Sequence, residues 1–193
     1  MKPLNKYIKE KLIINKDYKD YRDTTIVVKS FDELRKIIED RYDKLGPGTE
    51  QDPIDFNDID VSNLDSFCSD KRFLGLFQGT KFKYIDISYW DVSNVKIMFN
   101  MFVACDKLKS VGDISKWDVS KVTNMTYMFQ FCEKFNQDIS DWDVSKVNSM
   151  VHMFYGCKSF NQDISNWNVS NVINMVGMFD GCPIKDEYKP KFK

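Results

Sequence analysis

The sequence predicts an α/β fold: a right-handed β/α solenoid of four to five coils behind an N-terminal α+β cap. Three recurring phrases carry this prediction. All four tryptophans stand in one phrase, at Trp90-Asp91-Val92-Ser93, Trp117-Asp118-Val119-Ser120, Trp142-Asp143-Val144-Ser145 and Trp167-Asn168-Val169-Ser170, with spacings of 27, 25 and 25. Met-Phe-x-x-Cys follows in the same phase, at Met101-Phe102-Cys105, Met128-Phe129-Cys132, Met153-Phe154-Cys157 and Met178-Phe179-Cys182. Asp-Ile-Ser precedes each tryptophan, at Asp86, Asp113, Asp138 and Asp163. Eight of the nine methionines fall at fixed places in this pattern, so chance does not explain it.

The elements of one coil are read from the last unit. Ile164-x-x-Trp167-x-Val169 has leucine-rich-repeat-like strand spacing. A short strand centred on Trp167 aims Trp167 and Val169 inward and Asn166 and Asn168 outward. From Val172 the apolar residues Met175, Met178, Phe179 and Cys182 step mainly by three, which is helical spacing. Ser170 is placed to cap that helix. A coil of 25 residues buries its apolar set only against neighbours, so the fold is expected to be held together coil by coil.

The remaining segments are assigned around this repeat. Residues 1–23 read as an N-terminal helix, with Leu4, Tyr7, Ile8 and Leu12 on one face, and a polar connector. Residues 24–57 read as an α/β cap. Within it Thr24 to Val28 is a β-branched strand candidate. Ser30-Phe31-Asp32-Glu33 has capping-box spacing, with Leu34, Ile37, Ile38 and Tyr42 on one face and Gly46 as the stop. The alternative is that this module is a separate functional head. Residues 58–182 hold the repeats, opened by a degenerate unit in which Asp60-Val61-Ser62-Asn63-Leu64 echoes Asp91-Val92-Ser93-Asn94-Val95. Residues 183–193 form a C-terminal cap and basic tail.

Composition narrows the function classes. The 28 Lys and Arg against 29 Asp and Glu give a formal charge of −1, which argues against broad neutralisation of nucleic-acid phosphates. No apolar run has the length of a membrane span. The first residues alternate lysine with apolar side chains and lack a signal-type apolar region, which predicts a cytoplasmic protein. A single histidine, His152, disfavours His-based catalysis and His-rich metal sites. His152 itself is expected as a partly exposed residue on the helical segment. No phosphate loop, Cys-x-x-Cys or nucleophile elbow is present.

The five cysteines, Cys68, Cys105, Cys132, Cys157 and Cys182, are odd in number and largely in repeat phase. They read as small buried residues and not as a disulfide framework or metal site. The tryptophans read as core, with a ligand platform as the alternative. The aspartates before each turn read as acceptors for nearby backbone N–H groups, with cation binding as the alternative. No cofactor is expected. The outward strand positions Tyr89, Asp91, Lys116, Asp118, Asp141, Asp143, Asn166 and Asn168 vary from coil to coil. On a concave face they are the candidate binding residues, against the plainer reading of a solvated sheet face.

The phrases Phe160-Asn161-Gln162-Asp163-Ile164-Ser165-x-Trp167-Asn168-Val169-Ser170-Asn171-Val172 and Met175-x-x-Met178-Phe179-x-x-Cys182 resemble the BspA-like leucine-rich repeats, the bacterial surface protein 26-residue repeat. The resemblance covers about residues 58–188. It implies a right-handed leucine-rich-repeat-type solenoid, in a family whose described members are mostly secreted adhesins or binding proteins. The short chain and the opening from Leu4 to Leu12 look similar to short repeat proteins coded by gut bacteria and their phages. The expected function is a non-enzymatic protein–protein interaction module with a protein partner. The alternatives are an adhesin-like carbohydrate or cell-surface binder and a virion or assembly component.

Overall fold

The computed structural model of the chain describes residues 25–69 and 73–191. The expected helix over 1–14 and the connector over 15–23 lie outside the described residues. Strand β1 (Ile26–Val27) leads into helix α1 (Phe31–Leu45), and strands β2 (Ile54–Asp55), β3 (Ile59–Asp60) and β4 (Ile85–Asp86) follow. A short 3-10 turn covers Asp186–Tyr188. β1 pairs in parallel with β3, Ile26 opposite Ile59, and β2 pairs in parallel with β4, Ile54 opposite Ile85.

The expected β/α solenoid of four to five coils is therefore corrected. Among the described residues there is one α-helix, and the only strand pairs form two two-stranded sheets of two-residue strands. No strand forms around any tryptophan, and among the described residues no α-helix follows one. The reason lies in the backbone. Asn100, Ala104, Tyr127, Phe131 and His152 have φ between 50° and 59°, and Gly156, Gly177 and Gly181 lie at 61° to 70°. A left-handed residue every fourth position is incompatible with a right-handed α-helix. The spacing of three comes instead from successive turns, with i→i+3 bonds such as Met153 N–H to Met150 O and Cys157 N–H to Phe154 O (3.2 and 3.1 Å).

Where the intervening N–H groups go decides the architecture. They leave their own segment and bond the next one. Met150, His152, Phe154 and Gly156 donate to Asn174, Val176, Met178 and Asp180 at 2.8–2.9 Å. Met125, Tyr127, Phe129 and Phe131 donate in the same way to Ser149, Val151, Met153 and Tyr155 at 2.8–3.0 Å. Met98, Asn100, Phe102 and Ala104 do so to Asn124, Thr126, Met128 and Gln130 at 2.8–3.1 Å. Single parallel bridges mark these junctions, Ile97 to Asn124, Asn124 to Ser149 and Ser149 to Asn174. Through the turns the bonding runs one way, with N–H groups from the earlier segment and carbonyls from the later one. Just before the turns one N–H returns to the earlier segment: Thr123 to Lys96 O, Asn148 to Thr123 O and Ile173 to Asn148 O, each at 2.9 Å.

The core lies inside this arrangement. All four tryptophans are buried, as are Met98, Met125, Met150, Phe102, Phe129 and Phe154. Phe77, Phe102, Phe129, Phe154 and Phe179 form a file of near-parallel rings with centroids 5.3–5.8 Å apart. Each indole N–H reaches back to an earlier carbonyl. Trp90 bonds Phe56 O, Trp117 bonds Ile87 O, Trp142 bonds Ile114 O and Trp167 bonds Ile139 O, at 2.9–3.3 Å. That second duty explains why the position holds Trp and not Phe: a buried N–H needs a partner.

Helix α1 forms where its capping signals place it. The Ser30 hydroxyl accepts from Glu33 N–H, and Gly46 N–H closes on Tyr42 O at a φ of 76°. Leu34 and Ile38 are buried against the core. Arg35 lies beside them and points its guanidinium at the carbonyls of Leu76 (2.6 Å), Gly75 (3.2 Å) and Gln78 (3.5 Å). Arg41 clamps the Asp58 carboxylate through two bonds of 2.7 and 2.6 Å. Among the described residues no helix is long and apolar enough to cross a membrane.

Candidate functional site

The candidate binding residues named from the sequence divide into two groups. Asp91, Asp118, Asp143 and Asn168 hold the backbone of their own turn. Their Oδ1 atoms accept from Ser93, Ser120, Ser145 and Ser170 N–H at 3.0–3.2 Å. Asp86, Asp113, Asp138 and Asp163 do the same one turn earlier, each accepting at 3.0 Å from the serine two residues on. These are Asx turns, in which a short carboxylate or amide replaces a backbone acceptor. The bonds hold the Asp113, Asp118, Asp143 and Asp163 carboxyls below the usual range through the neighbouring Ser115, Ser120, Ser145 and Ser165. For Asp138 the Ser140 N–H is the leading cause.

The second group, Tyr89, Lys116, Asp141 and Asn166, stands exposed beside those turns. Lys116 Nζ meets Asp141 Oδ2 at 2.8 Å across one junction, which raises the lysine's pKa. Asn166 donates to Ser140 O at 3.2 Å. Tyr89 is 60% exposed, and its N–H bonds Asn57 Oδ1. The strand register used to call this surface a concave sheet face does not exist, because these residues sit in turns.

A cleft of about 360 Å³ opens beside Tyr84, Lys109 and Ser110, with Asp86 in its wall. The Asp86 carboxylate is already engaged by the N–H and hydroxyl of Ser88 at 3.0 and 2.6 Å. Asp55, whose pKa burial raises, accepts from Asn57 N–H at 2.8 Å and so also serves a turn. Among the described residues no three His, Cys, Asp or Glu side chains group to hold a metal ion. Cys105, Cys132 and Cys157 are fully buried, and their thiols contact the carbonyls of Phe77, Phe102 and Phe129 at 2.9–3.0 Å. Burial pushes the Cys132 and Cys157 thiols up, away from a reactive thiolate.

The structure assembles a different surface, from residues that were not among the candidate binding positions. Phe73, Phe99, Tyr127 and His152 form a line of ring contacts, at 6.1, 5.7 and 5.6 Å between centroids. Tyr155 packs edge-on against both His152 (5.0 Å) and Phe131 (5.2 Å), extending the line sideways. Phe73 is 67% and Phe131 44% exposed, and the other four are half-buried.

The left-handed positions build this strip. Tyr127 and Phe131 at φ 58° and His152 at φ 50° turn outward, away from the core. The next segment leaves room for them. A Cβ at Gly156 would meet the Phe131 ring at 2.7 Å, and one at Gly177 would meet the His152 ring at 2.4 Å. Those glycines were the available signal. They stand in phase with Phe131 and Tyr127, and a helix has no use for glycine at two such places. His152 is thus a half-buried turn residue lying against Tyr127 and Gly177, which corrects its placement on a helix.

Residues 71–189, well over half of the 193-residue chain, match a family described as Mycoplasma protein of unknown function, DUF285. No curated protein and no solved structure matches the chain.

Proposed function

The chain belongs to the DUF285 family, and from that premise we propose that it is a non-enzymatic module that binds a protein partner through the aromatic strip Phe73, Phe99, Tyr127, His152, Tyr155 and Phe131. The observation that carries the reading is the strip itself: six aromatic side chains in mutual contact, kept partly exposed by backbone geometry that spends two glycines on accommodating them. Contiguous exposed aromatic surface is the usual anchor of a protein interface, where Tyr and Phe contribute large area at low entropy cost. The likeness of the Trp and Met phrases to the BspA-like repeats, whose described members are mostly binders, supports the same reading. The repeated carboxylates Asp86, Asp91, Asp113, Asp118, Asp138, Asp143 and Asp163 are committed to turns, a uniform set in place of the divided environments that acid and base roles need.

The test uses substitutions that the repeat already accepts. Asn100 stands in phase with Tyr127 and Gly156 with Phe131, both at positive φ. The double variant Tyr127→Asn, Phe131→Gly is expected to keep its urea midpoint and to lose at least about tenfold in capture of the partner recovered by the wild type. Equal capture by both proteins would refute the strip as the binding surface. A catalytic turnover abolished by the same double variant would refute the non-enzymatic reading.

A further inference from the structure

We propose that the edge formed by residues 175–181 docks a separate protein chain that presents a row of backbone carbonyls, of the kind carried by the same repeat phrase. Three junctions inside the molecule already show this contact: N–H groups of one segment at every second residue, met by carbonyls of the next. In the last segment the equivalent donors are Met175, Gly177, Phe179 and Gly181. No acceptor takes any of the four among the described residues. Residues 183–191 accept none of these bonds: Tyr188 O accepts from Ile164 N–H, Lys185 N–H bonds Asn161, and the Lys189 ammonium stands over the Phe179 ring at 5.8 Å.

The side chains around this edge differ from those of the earlier segments in the direction that docking requires. Ile173 is 88% exposed, whereas the in-phase positions hold Lys96, Thr123 and Asn148. Val176 is 66% exposed, and Met175 is 39% exposed where Met98, Met125 and Met150 are fully buried. Both left-handed positions are glycine here, Gly177 and Gly181, so no side chain shades the donor row. An apolar rim around bare backbone donors matches a backbone acceptor edge.

The edge is also selective about what it takes. It presents a row of four turn donors with one carbonyl beside them, that of Ile173 in phase with the acceptor Asn148 O, so two copies of it placed face to face would oppose mainly N–H to N–H. A head-to-tail second copy meets a closed end, because the in-phase carbonyls of Leu76 and Gln78 are held by Arg35. The occupant is therefore another chain whose carbonyl edge carries no such arginine.

The experiment titrates the ¹⁵N-labelled full chain with an unlabelled peptide of the sequence 148–182, which contains the carbonyls of Asn174, Val176, Met178 and Asp180. The expected result is saturable shifts of the Met175, Gly177, Phe179 and Gly181 amides, with their exchange slowed at least about tenfold. The double variant Ile173→Lys, Val176→Thr carries residues found in phase at Lys96 and Thr126. It should bind the peptide at least about tenfold more weakly with an unchanged urea midpoint. A chain with residues 158–182 duplicated after Cys182 should gain protection at the same four amides. Failure of that protection overturns the proposal. Protection in the duplicated chain with no shift from the peptide at about 1 mM also overturns it, because a separate chain is then not taken. The same shifts from inorganic phosphate alone overturn it in favour of an anion cradle.

Discussion

The two ends of the bonded segments are built from the same repeat and finished in opposite ways. At the helix end the outward groups are carbonyls, and a guanidinium seals them: Arg35 bonds Leu76 O at 2.6 Å and Gln78 O at 3.5 Å while ion-paired with Glu39. At the other end the outward groups of the turn are N–H, flanked by exposed Ile173 and Val176 and left without side-chain shading by two glycines. The one-way sense of the turn-to-turn bonds creates two different ends from one phrase. A cation closes a carbonyl edge well, since hydrogen bonds from a charged donor are the stronger kind. The donor edge would need carbonyls or anions, and the nearby basic side chains Lys185 and Lys189 supply neither.

The largest expected effects separate the two ends by packing. Phe77 and Phe179 occupy the first and last places in the file of rings, but Phe77 is fully buried and Phe179 only partly. Phe77→Ala is expected to cost about 3–5 kcal/mol and Phe179→Ala clearly less, roughly 1–2 kcal/mol, by urea denaturation. Equal losses would show that the far end is as well packed as the helix end.

Next in size is the seal. Arg35→Ala removes a charged donor from carbonyls at a side chain only 16% exposed, and should destabilise by about 2–3 kcal/mol. A loss below about 0.5 kcal/mol would mean that water replaces the guanidinium and that the end is not sealed by it.

Smaller effects come from the Asx turns common to both ends. Asp143→Ala should cost about 1 kcal/mol, and Asp143→Asn almost nothing, because Asn168 makes the same turn in the next segment. The pH dependence follows from the same bonds. Asp113, Asp118, Asp138 and Asp143 have folded pKa values below the unfolded value of about 3.9, so the unfolded chain binds more protons in that range. Their stabilisation is present above about pH 4 and is lost as pH falls through the folded values. The urea midpoint should drop between pH 5 and pH 3, and replacing all four by Asn should flatten that drop. The smallest effect is expected at the open end, where Ile173→Lys should change stability by no more than about 0.5 kcal/mol.

Much of this was legible in the sequence, but unevenly. The limits of α1 were readable because Ser30, Glu33 and Gly46 act locally, through caps that need no tertiary partner. The inward set was readable because burial follows composition: the tryptophans and the Met and Phe of each phrase are core whatever backbone carries them. The backbone itself was misread. A step of three fits an α-helix and a run of i→i+3 turns equally well, and the choice rests on left-handed residues that Tyr127, Phe131 and His152 do not advertise by type. Gly156, Gly177 and Gly181, in phase with them, did carry that information. The same misreading hid the aromatic strip, because a helix would have pointed these rings elsewhere. It also placed Asp91, Asp118, Asp143 and Asn168 on a sheet face when their side chains fold their own turns.

The turns of successive segments bond one way, from a sealed carbonyl end to an open donor end. Residue-resolved hydrogen exchange on the free full chain tests this most directly. The amides of Met125, Tyr127, Phe129, Phe131, Met150, His152, Phe154 and Gly156 should exchange at least about a thousandfold more slowly than an unstructured chain, while Met175, Gly177, Phe179 and Gly181 exchange within about tenfold of it. Equal protection of the two groups, or fast exchange in the first, would contradict the account.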